Sequence, residues 1–193
     1  MNPLTRADLY TLEAYALERE AFRSRVIAHK RARKLHLGEH ITLLFEDRMT
    51  IQYQVQEMLR IERIFEPEAI QEELDAYNPL IPSGANLKAT MLIEYPDVEE
   101  RRQALARLGG IEHRIYAEVA GHGRAFTHAD EDMDRSEADK TAAVHFLRLE
   151  FSVDAIAALR TGAALHFGVD DPRMPLRIEA DAMIREALLK DFD

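Results

Sequence analysis

The feature that most constrains the fold is an alternation of apolar and polar residues that recurs in several short segments. Five runs have this period of two, at residues 41–45, 49–54, 87–94, 113–119 and 144–151. Successive side chains of a β-strand point to opposite faces of a sheet, so these runs predict strands with one buried and one polar face. Because half-solvated sheets are typical of antiparallel pairing, we predict a mostly antiparallel sheet.

The first two runs predict a β-hairpin. A three-residue loop would pair Phe45 with Met49 and would place the apolar side chains of both strands on one face of the sheet. Another interpretation makes residues 50–64 a single helix, because the apolar residues of this segment also recur at helical spacing. We predict a strand to about Gln54, followed by a helix that reaches Arg63.

Helix signals separate the predicted strands. Thr5 and Asp8 have the spacing of a capping box, and a second helical stretch is predicted over residues 18–35. Later start and stop signals predict four further helices, at residues 67–77, 97–108, 152–162 and 181–192. Together the elements predict an α+β protein, with interspersed helices and an N-terminal helical arm over residues 1–36.

The domain organisation follows from the spacing of these elements. We predict one domain over residues 1–193, in which 1–110 and 111–193 form two lobes if Gly109-Gly110 acts as a break. This linker is too short to predict independent domains. The run Asp130–Asp139 holds six acidic residues and is predicted to be a solvated loop.

Composition excludes several classes of protein. The chain has no cysteine, which excludes disulfides, thiolate metal sites and cysteine nucleophiles within it. No secretory signal and no apolar run of the roughly 18 residues that span a bilayer occur, so we expect a soluble, cytoplasmic protein without a membrane partner. A net charge of −10 argues against generic nucleic-acid binding. Phosphate-loop and serine-hydrolase motifs are also absent from the sequence.

One segment carries a charge opposite in sign to the net charge of the chain. Residues 23–34 contain six cationic residues and no acid. On a helix these predict an anion-binding or partner-docking surface, although the helix could instead lie against the acidic remainder of the protein. The sign of the charge does not distinguish an acidic protein from a nucleotide or an RNA. The six residues are Arg23, Arg25, Lys30, Arg31, Arg33 and Lys34.

A second candidate surface lies on the helix predicted after the hairpin. Gln56, Arg60 and Arg63 share one helical face, and Glu57 can hold the guanidinium of Arg60 in place. An arginine held this way suits recognition of a carboxylate or a phosphate. The alternative is an intramolecular network of salt bridges. The predicted partner- or anion-binding residues here are Gln56, Glu57, Arg60, Glu62 and Arg63.

His113 and His145 are the candidate metal ligands, because each alternates onto the apolar face of its predicted strand. If the two strands were neighbours, a carboxylate such as Glu46, Glu57 or Glu94 could complete a site of two histidines and one carboxylate. No short ligand motif occurs, however, so we predict two hydrogen-bonded core histidines, no tightly bound metal and no cofactor.

Several segments carry a resemblance to known proteins. They are Arg25-Val26-Ile27-Ala28-His29-Lys30-Arg31-Ala32-Arg33, Thr42-Leu43-Leu44-Phe45-Glu46-Asp47-Arg48, Gln54-Val55-Gln56-Glu57-Met58-Leu59-Arg60 with Glu62-Arg63, Asn78-Pro79-Leu80-Ile81-Pro82, Ala89-Thr90-Met91 and Val144-His145-Phe146-Leu147-Arg148. In these segments, and over essentially the whole chain, the sequence resembles a bacterial family catalogued as a domain of unknown function. Its genes often stand beside those for rubrerythrin and for iron–sulfur oxidoreductases related to heterodisulfide reductase. The resemblance implies no catalytic residue, but it implies a redox or peroxide-stress context.

We therefore predict an accessory or interaction protein in a redox or oxidative-stress context, without catalysis of its own. Its expected partner is a protein, with iron–sulfur and rubrerythrin-type redox proteins as candidates through the resemblance. One alternative is a small metal- or ligand-binding enzyme that uses His113 and His145. A second alternative is an anion or RNA binder that uses the basic helix 23–34.

Overall fold

The fold is known here from a computed structural model that describes residues 2–129 and 141–193. Within these residues the strands are β1 (Lys34–Leu37), β2 (Ile41–Glu46), β3 (Asn86–Ile93), β4 (Ile115–Val119), β5 (Arg124–Ala129), β6 (Val144–Glu150), β7 (Leu165–Val169) and β8 (Leu176–Glu179). They form one sheet in the order β1-β2-β3-β6-β5-β4-β7-β8, and every neighbouring pair is antiparallel. The predicted α+β class with a mostly antiparallel sheet is confirmed.

The described residues also form six α-helices. They are α1 (Leu12–Lys30), α2 (Arg48–Glu62), α3 (Pro67–Tyr77), α4 (Val98–Arg107), α5 (Val153–Arg160) and α6 (Ala182–Leu189). Asp97, Ser152 and Asp181 each accept a hydrogen bond from a backbone N–H of the helix that follows, as the sequence predicts. None of the six has both the length and the apolar character that a bilayer-spanning helix needs.

The sheet curls until its two edge strands meet. Strand β5 changes partner along its length, because residues 124–126 pair with β4 and residues 127–129 pair with β6. At the two ends of the sheet, β1 packs against β7 and β8, and the side chain of Leu176 lies directly over Gly38. The inward face therefore surrounds one apolar core.

Side chains from both halves of the sequence fill this core. Leu43, Met91, Leu149 and Phe167 are completely buried, or nearly so, and belong to a single apolar cluster. Helices α4, α5 and α6 contribute further side chains to the same cluster. The first three helices instead form two separate apolar clusters, one between α1 and α2 and one among α2, α3 and the N-terminal segment. This helix layer presents the surfaces that concern function.

The predicted hairpin is wrong in its second strand. Residues 41–46 form β2 as predicted, but helix α2 begins at Arg48, so the pairing of Phe45 with Met49 does not occur. Asp47 accepts hydrogen bonds from the amides of Met49 and Thr50, and the Thr50 hydroxyl accepts one from the Asp47 amide. This reciprocal cap starts the helix, and the apolar residues that fitted a strand fit its buried face equally well.

Three further boundaries differ from prediction. Helix α1 begins at Leu12, capped by Thr11, and ends at Lys30, whereas the sequence predicts residues 18–35. Lys34 and Leu35 belong to β1, which pairs with β2 through the turn at Gly38. His113 lies in a 3₁₀ turn before β4, so it is not part of the alternating strand. The acidic run at residues 130–139 lies outside the described residues.

Candidate functional site

Helices α1 and α2 run antiparallel and bring the two predicted binding surfaces onto one helix pair. The basic segment lies at the C-terminal end of α1, whereas residues 56–63 lie at the opposite end of the pair. Three contacts spaced along both helices define this arrangement: Tyr15 with Glu57, Phe22 with Tyr53, and His29 with Asp47. The two sets are therefore at opposite ends of the same surface.

Arg33 is not a surface residue, which corrects its prediction as part of the docking surface. Only 2 % of it is exposed, and its guanidinium lies 2.5 Å from the carboxylate of Asp191. It also donates hydrogen bonds of 3.1 Å to the backbone carbonyls of Phe45, Glu46 and Ala187. Arg33 thus joins the C-terminal segment to the sheet.

Asp47 extends this buried network towards the surface. Its Oδ2 atom lies 2.5 Å from Nε2 of His29 and 3.4 Å from Nε of Arg33, while Oδ1 caps α2. A row of contacting polar side chains therefore runs from Asp191 through Arg33 and Asp47 to the half-buried His29. The network ties α1, the start of α2 and the C-terminal segment together, and this role is structural.

The other cations of the basic segment remain available to solvent. The guanidinium carbon of Arg25 lies 5.4 Å from the ring centroid of Phe22, so this cation lies over an aromatic ring of the same helix. The predicted surface is reduced to the residues that are exposed or half-buried: Arg23, Arg25, Lys30, Arg31 and Lys34. Their binding role stays a prediction.

Gln56 must also be removed from the predicted surface, because it is completely buried. Its side-chain oxygen accepts a hydrogen bond from the Tyr10 amide at 2.5 Å, and its side-chain nitrogen donates one to the Tyr10 carbonyl at 3.4 Å. The side-chain amide of Gln56 thus serves as the hydrogen-bond partner of the Tyr10 backbone, in the segment before α1. Helical spacing placed Gln56 on a face with Arg60, but that face turns inward at its N-terminal end.

Glu57 holds a network that crosses between the two helices. Its carboxylate accepts two hydrogen bonds from Arg19, at 2.7 and 2.8 Å, and one from the Tyr15 hydroxyl at 2.8 Å. Arg60 lies farther away, at 3.3 Å. The Arg19 hydrogen bonds lower the pKa of Glu57 to about 2, and burial and this carboxylate raise the pKa of Tyr15. Spacing alone could not identify Arg19, because it lies 38 residues from Glu57.

We expect Arg60→Ala to leave the melting temperature almost unchanged, since its partly exposed pair with Glu57 is worth about 0–1 kcal/mol.

Glu57→Ala should cost about 1.5–3 kcal/mol, because Arg19 and Tyr15 lose a charged acceptor. That stabilisation should be present above pH 4.5 and lost as the pH falls towards 2, because folding lowers the pKa of this carboxyl. Urea denaturation at several pH values measures both, and a loss above about 3 kcal/mol for Arg60→Ala would place that pair in the core.

The end of α2 is the most exposed part of the second predicted surface. Arg60, Glu62 and Arg63 all face solvent, and Arg63 ends the helix in the left-handed conformation at φ 56°. Two large apolar side chains accompany them, with Ile61 62 % exposed and Phe65 66 % exposed. Charged and apolar groups are therefore presented side by side.

A cleft of about 290 Å³ has Phe65 in its lining. It lies between the start of α1 and the segment that joins α2 to α3. Arg6 and Glu13 contribute its charged side chains. Its apolar lining consists of Leu12, Leu59, Ile64, Phe65 and Ile70. Such a cleft can accept one apolar side chain of a partner.

The two candidate metal ligands approach one carboxylate that the sequence did not single out. Glu112 is buried, and its two oxygens lie 3.9 Å from Nε2 of His113 and 3.9 Å from Nε2 of His145. The Thr141 hydroxyl donates to Glu112 at 2.8 Å and lies 2.7 Å from His145. His145 is thus a hydrogen-bonded core histidine, whereas His113 is mostly exposed.

The predicted carboxylates do not join these histidines. Glu46 accepts hydrogen bonds from Thr50 and Thr90, Glu57 belongs to the helix pair, and Glu94 contacts Thr42. Across residues 2–129 and 141–193, no three histidine or acidic side chains are close enough together to hold a metal ion.

The fold and these surfaces define a class of α+β protein in which a strongly curved antiparallel sheet carries an outer layer of helices. Its exposed features are a charged helix pair and an apolar cleft at one end of that pair. The chain belongs to the family described as "Protein of unknown function (DUF3501)", whose model matches residues 3–192. This confirms the resemblance to an uncharacterised family.

One solved structure is similar over the whole chain. It is the crystal structure of a novel protein of unknown function from Burkholderia pseudomallei K96243, which is 49 % identical in sequence, with a TM-score of 0.94 and 100 % of both chains covered. A comparison with curated proteins found no match.

Proposed function

We propose that this protein is an interaction protein that docks a partner at the end of α2. The observation that carries the proposal is that Phe65, which is 66 % exposed, lines an apolar cleft. Single exposed apolar residues are ordinary on a protein surface, but a large one at the edge of an apolar concave site favours an interface. An apolar side chain of the partner would fill the cleft and contact Phe65.

The arginines around the cleft, and not Glu13, which also lines it, favour a partner of particular chemistry. Arg6 lines the cleft, and Arg60 and Arg63 are exposed on the adjoining turn. An arginine fork binds carboxylates well, so an acidic residue next to the apolar anchor would add specificity. The proposed partner therefore presents an apolar residue flanked by acids.

The redox context that the resemblance implies would supply the first candidate partners. The resemblance drawn from the sequence implies rubrerythrin-type and iron–sulfur proteins, and this chain has no thiol with which to carry electrons itself. We place the protein beside them in the cytoplasm as an accessory that binds a redox protein without catalysing a reaction.

Co-purification from the native host tests both parts of this proposal. Wild type, Phe65→Ser and Val153→Ser should be compared, since Val153 is an apolar residue on α5 that is 82 % exposed. We expect one partner to be retained by wild type and by Val153→Ser, and its affinity for Phe65→Ser to fall at least about tenfold, as for an interface anchor. Equal retention by all three proteins would refute the docking surface. Retention of a partner without a redox centre would refute the redox context.

A further inference from the structure

Helix α1 uses only a narrow face to attach to the rest of the protein. Among its 19 residues, Tyr15, Phe22 and Val26 are buried against α2, at intervals of seven and four. The opposite face is exposed along the whole helix, which is about 28 Å long at 1.5 Å per residue. A face of this length is large enough for a second helix to pack along it.

The exposed face carries a coiled-coil spacing of its own. Its central row consists of apolar and small residues at intervals of four, three and four. Leu17, the largest of them, is 85 % exposed. Small side chains in such a row let another helix approach closely. The row is Leu17, Ala21, Ser24 and Ala28, all of them exposed.

The charges that flank this row are segregated along the helix. The exposed acids all lie in the N-terminal half, and the exposed cations lie in the C-terminal half and just beyond it. Arg19 departs from this order, but its side chain is turned inward to Glu57. The exposed acids are Glu13, Glu18 and Glu20, and the exposed cations are Arg23, Arg25 and Arg31.

We propose that two copies of this chain pair through α1, antiparallel and about a two-fold axis between Phe22 and Arg23. The axis places Leu17 opposite the partner's Ala28 and Ala21 opposite the partner's Ser24. On one flank of this row it brings Glu18 alongside the partner's Arg25. Each acidic half then meets a basic half, and the contact is self-complementary as a two-fold interface requires. Parallel pairing would place like charges together.

Charge reversal at one facing pair tests the proposal by sedimentation equilibrium. We expect wild type to dimerise, and we expect Glu18→Arg and Arg25→Glu each to raise the dimer dissociation constant at least about tenfold, because both place like charges opposite one another twice. An equimolar mixture of the two variants should recover wild-type affinity, since both facing pairs are then of opposite sign. Recovery in the mixture cannot arise from misfolding of either variant.

Two charge reversals at positions outside α1 provide matched controls. Glu72→Arg on α3 and Lys190→Glu near the C-terminus change the same net charge at exposed positions outside α1, and both should dimerise like wild type. A wild-type chain that stays monomeric at about 100 µM would overturn the proposal and would leave α1 to a different partner. A dimer that tolerates both reversals on α1, or a mixture that recovers nothing, would overturn it as well.

Discussion

Arg33→Met is expected to lower the free energy of unfolding by about 3–5 kcal/mol, because it leaves the buried carboxylate of Asp191 without its counter-charge. The substitution also removes the donors to three backbone carbonyls, two at the end of β2 and one in α6. Urea denaturation at pH 7 measures the loss. The matched control is Lys34→Met, at the next position but exposed, which should stay within about 0.5 kcal/mol of wild type. A loss below about 1 kcal/mol for Arg33→Met would mean that solvent reaches this pair.

The same ion pair gives a pH dependence of defined sign. Burial raises the pKa of Asp191 from 3.8 to about 6, against the attraction of Arg33. The folded protein therefore holds this proton more tightly than the unfolded chain, so the stabilisation is present below pH 3.8 and is lost as the pH rises through 6. Between about pH 4 and pH 7, wild type should lose about 2–3 kcal/mol relative to Asp191→Asn, which cannot titrate. A difference that is constant across this range would contradict the raised pKa.

Gly168→Ala is expected to destabilise the protein by about 3 kcal/mol, at the upper end of the cost of overpacking. Gly168 lies opposite Tyr116 across β4 and β7, and a Cβ atom there would be 2.4 Å from the tyrosine hydroxyl and 2.5 Å from the Leu176 carbonyl. Tyr116 cannot easily move away, because it is 2 % exposed and packs against Phe126. Strand β8 would have to separate from β7.

Thermal denaturation of two glycine variants checks this expectation. Gly123→Ala is the matched control, since no atom outside its neighbours lies within 4 Å of the added carbon and its backbone conformation suits any residue. We expect the control to melt within a few degrees of wild type. Equal melting temperatures for the two variants would show that the Tyr116 ring has another position available.

Local signals account for the elements that the sequence predicted well. Pro67 begins α3 and Asp97 caps α4, and both helices lie where these residues place them. Strands β3 and β6 were predicted from alternating apolar and polar residues, a pattern that does not also fit a helix. Residues 49–56 fit both periods, so the choice depended on Asp47, whose side chain caps a helix only because β2 ends there.

The candidate surfaces were predictable as helices but not as surfaces. The sequence grouped Arg33 with the basic helix segment and Gln56 with Arg60, but Arg33 lies in the turn after α1 and both residues are buried. Their partners lie far away in the chain: Asp191 is 158 residues from Arg33, and Tyr10 is 46 residues from Gln56. A pattern read within one helix carries no information about such partners.

The sequence by itself determined the class of fold and most element boundaries, because caps, turns and periodicity act over a few residues. It also determined the sign of the charge along α1. Only the tertiary structure decided which charges face solvent, which strand pairs with which, and that Glu112 stands between His113 and His145. The physical reason is that burial of a polar group is tolerated only where a partner is supplied, and for Arg33 and Gln56 a distant segment supplies it. The curl of the sheet brings those segments together.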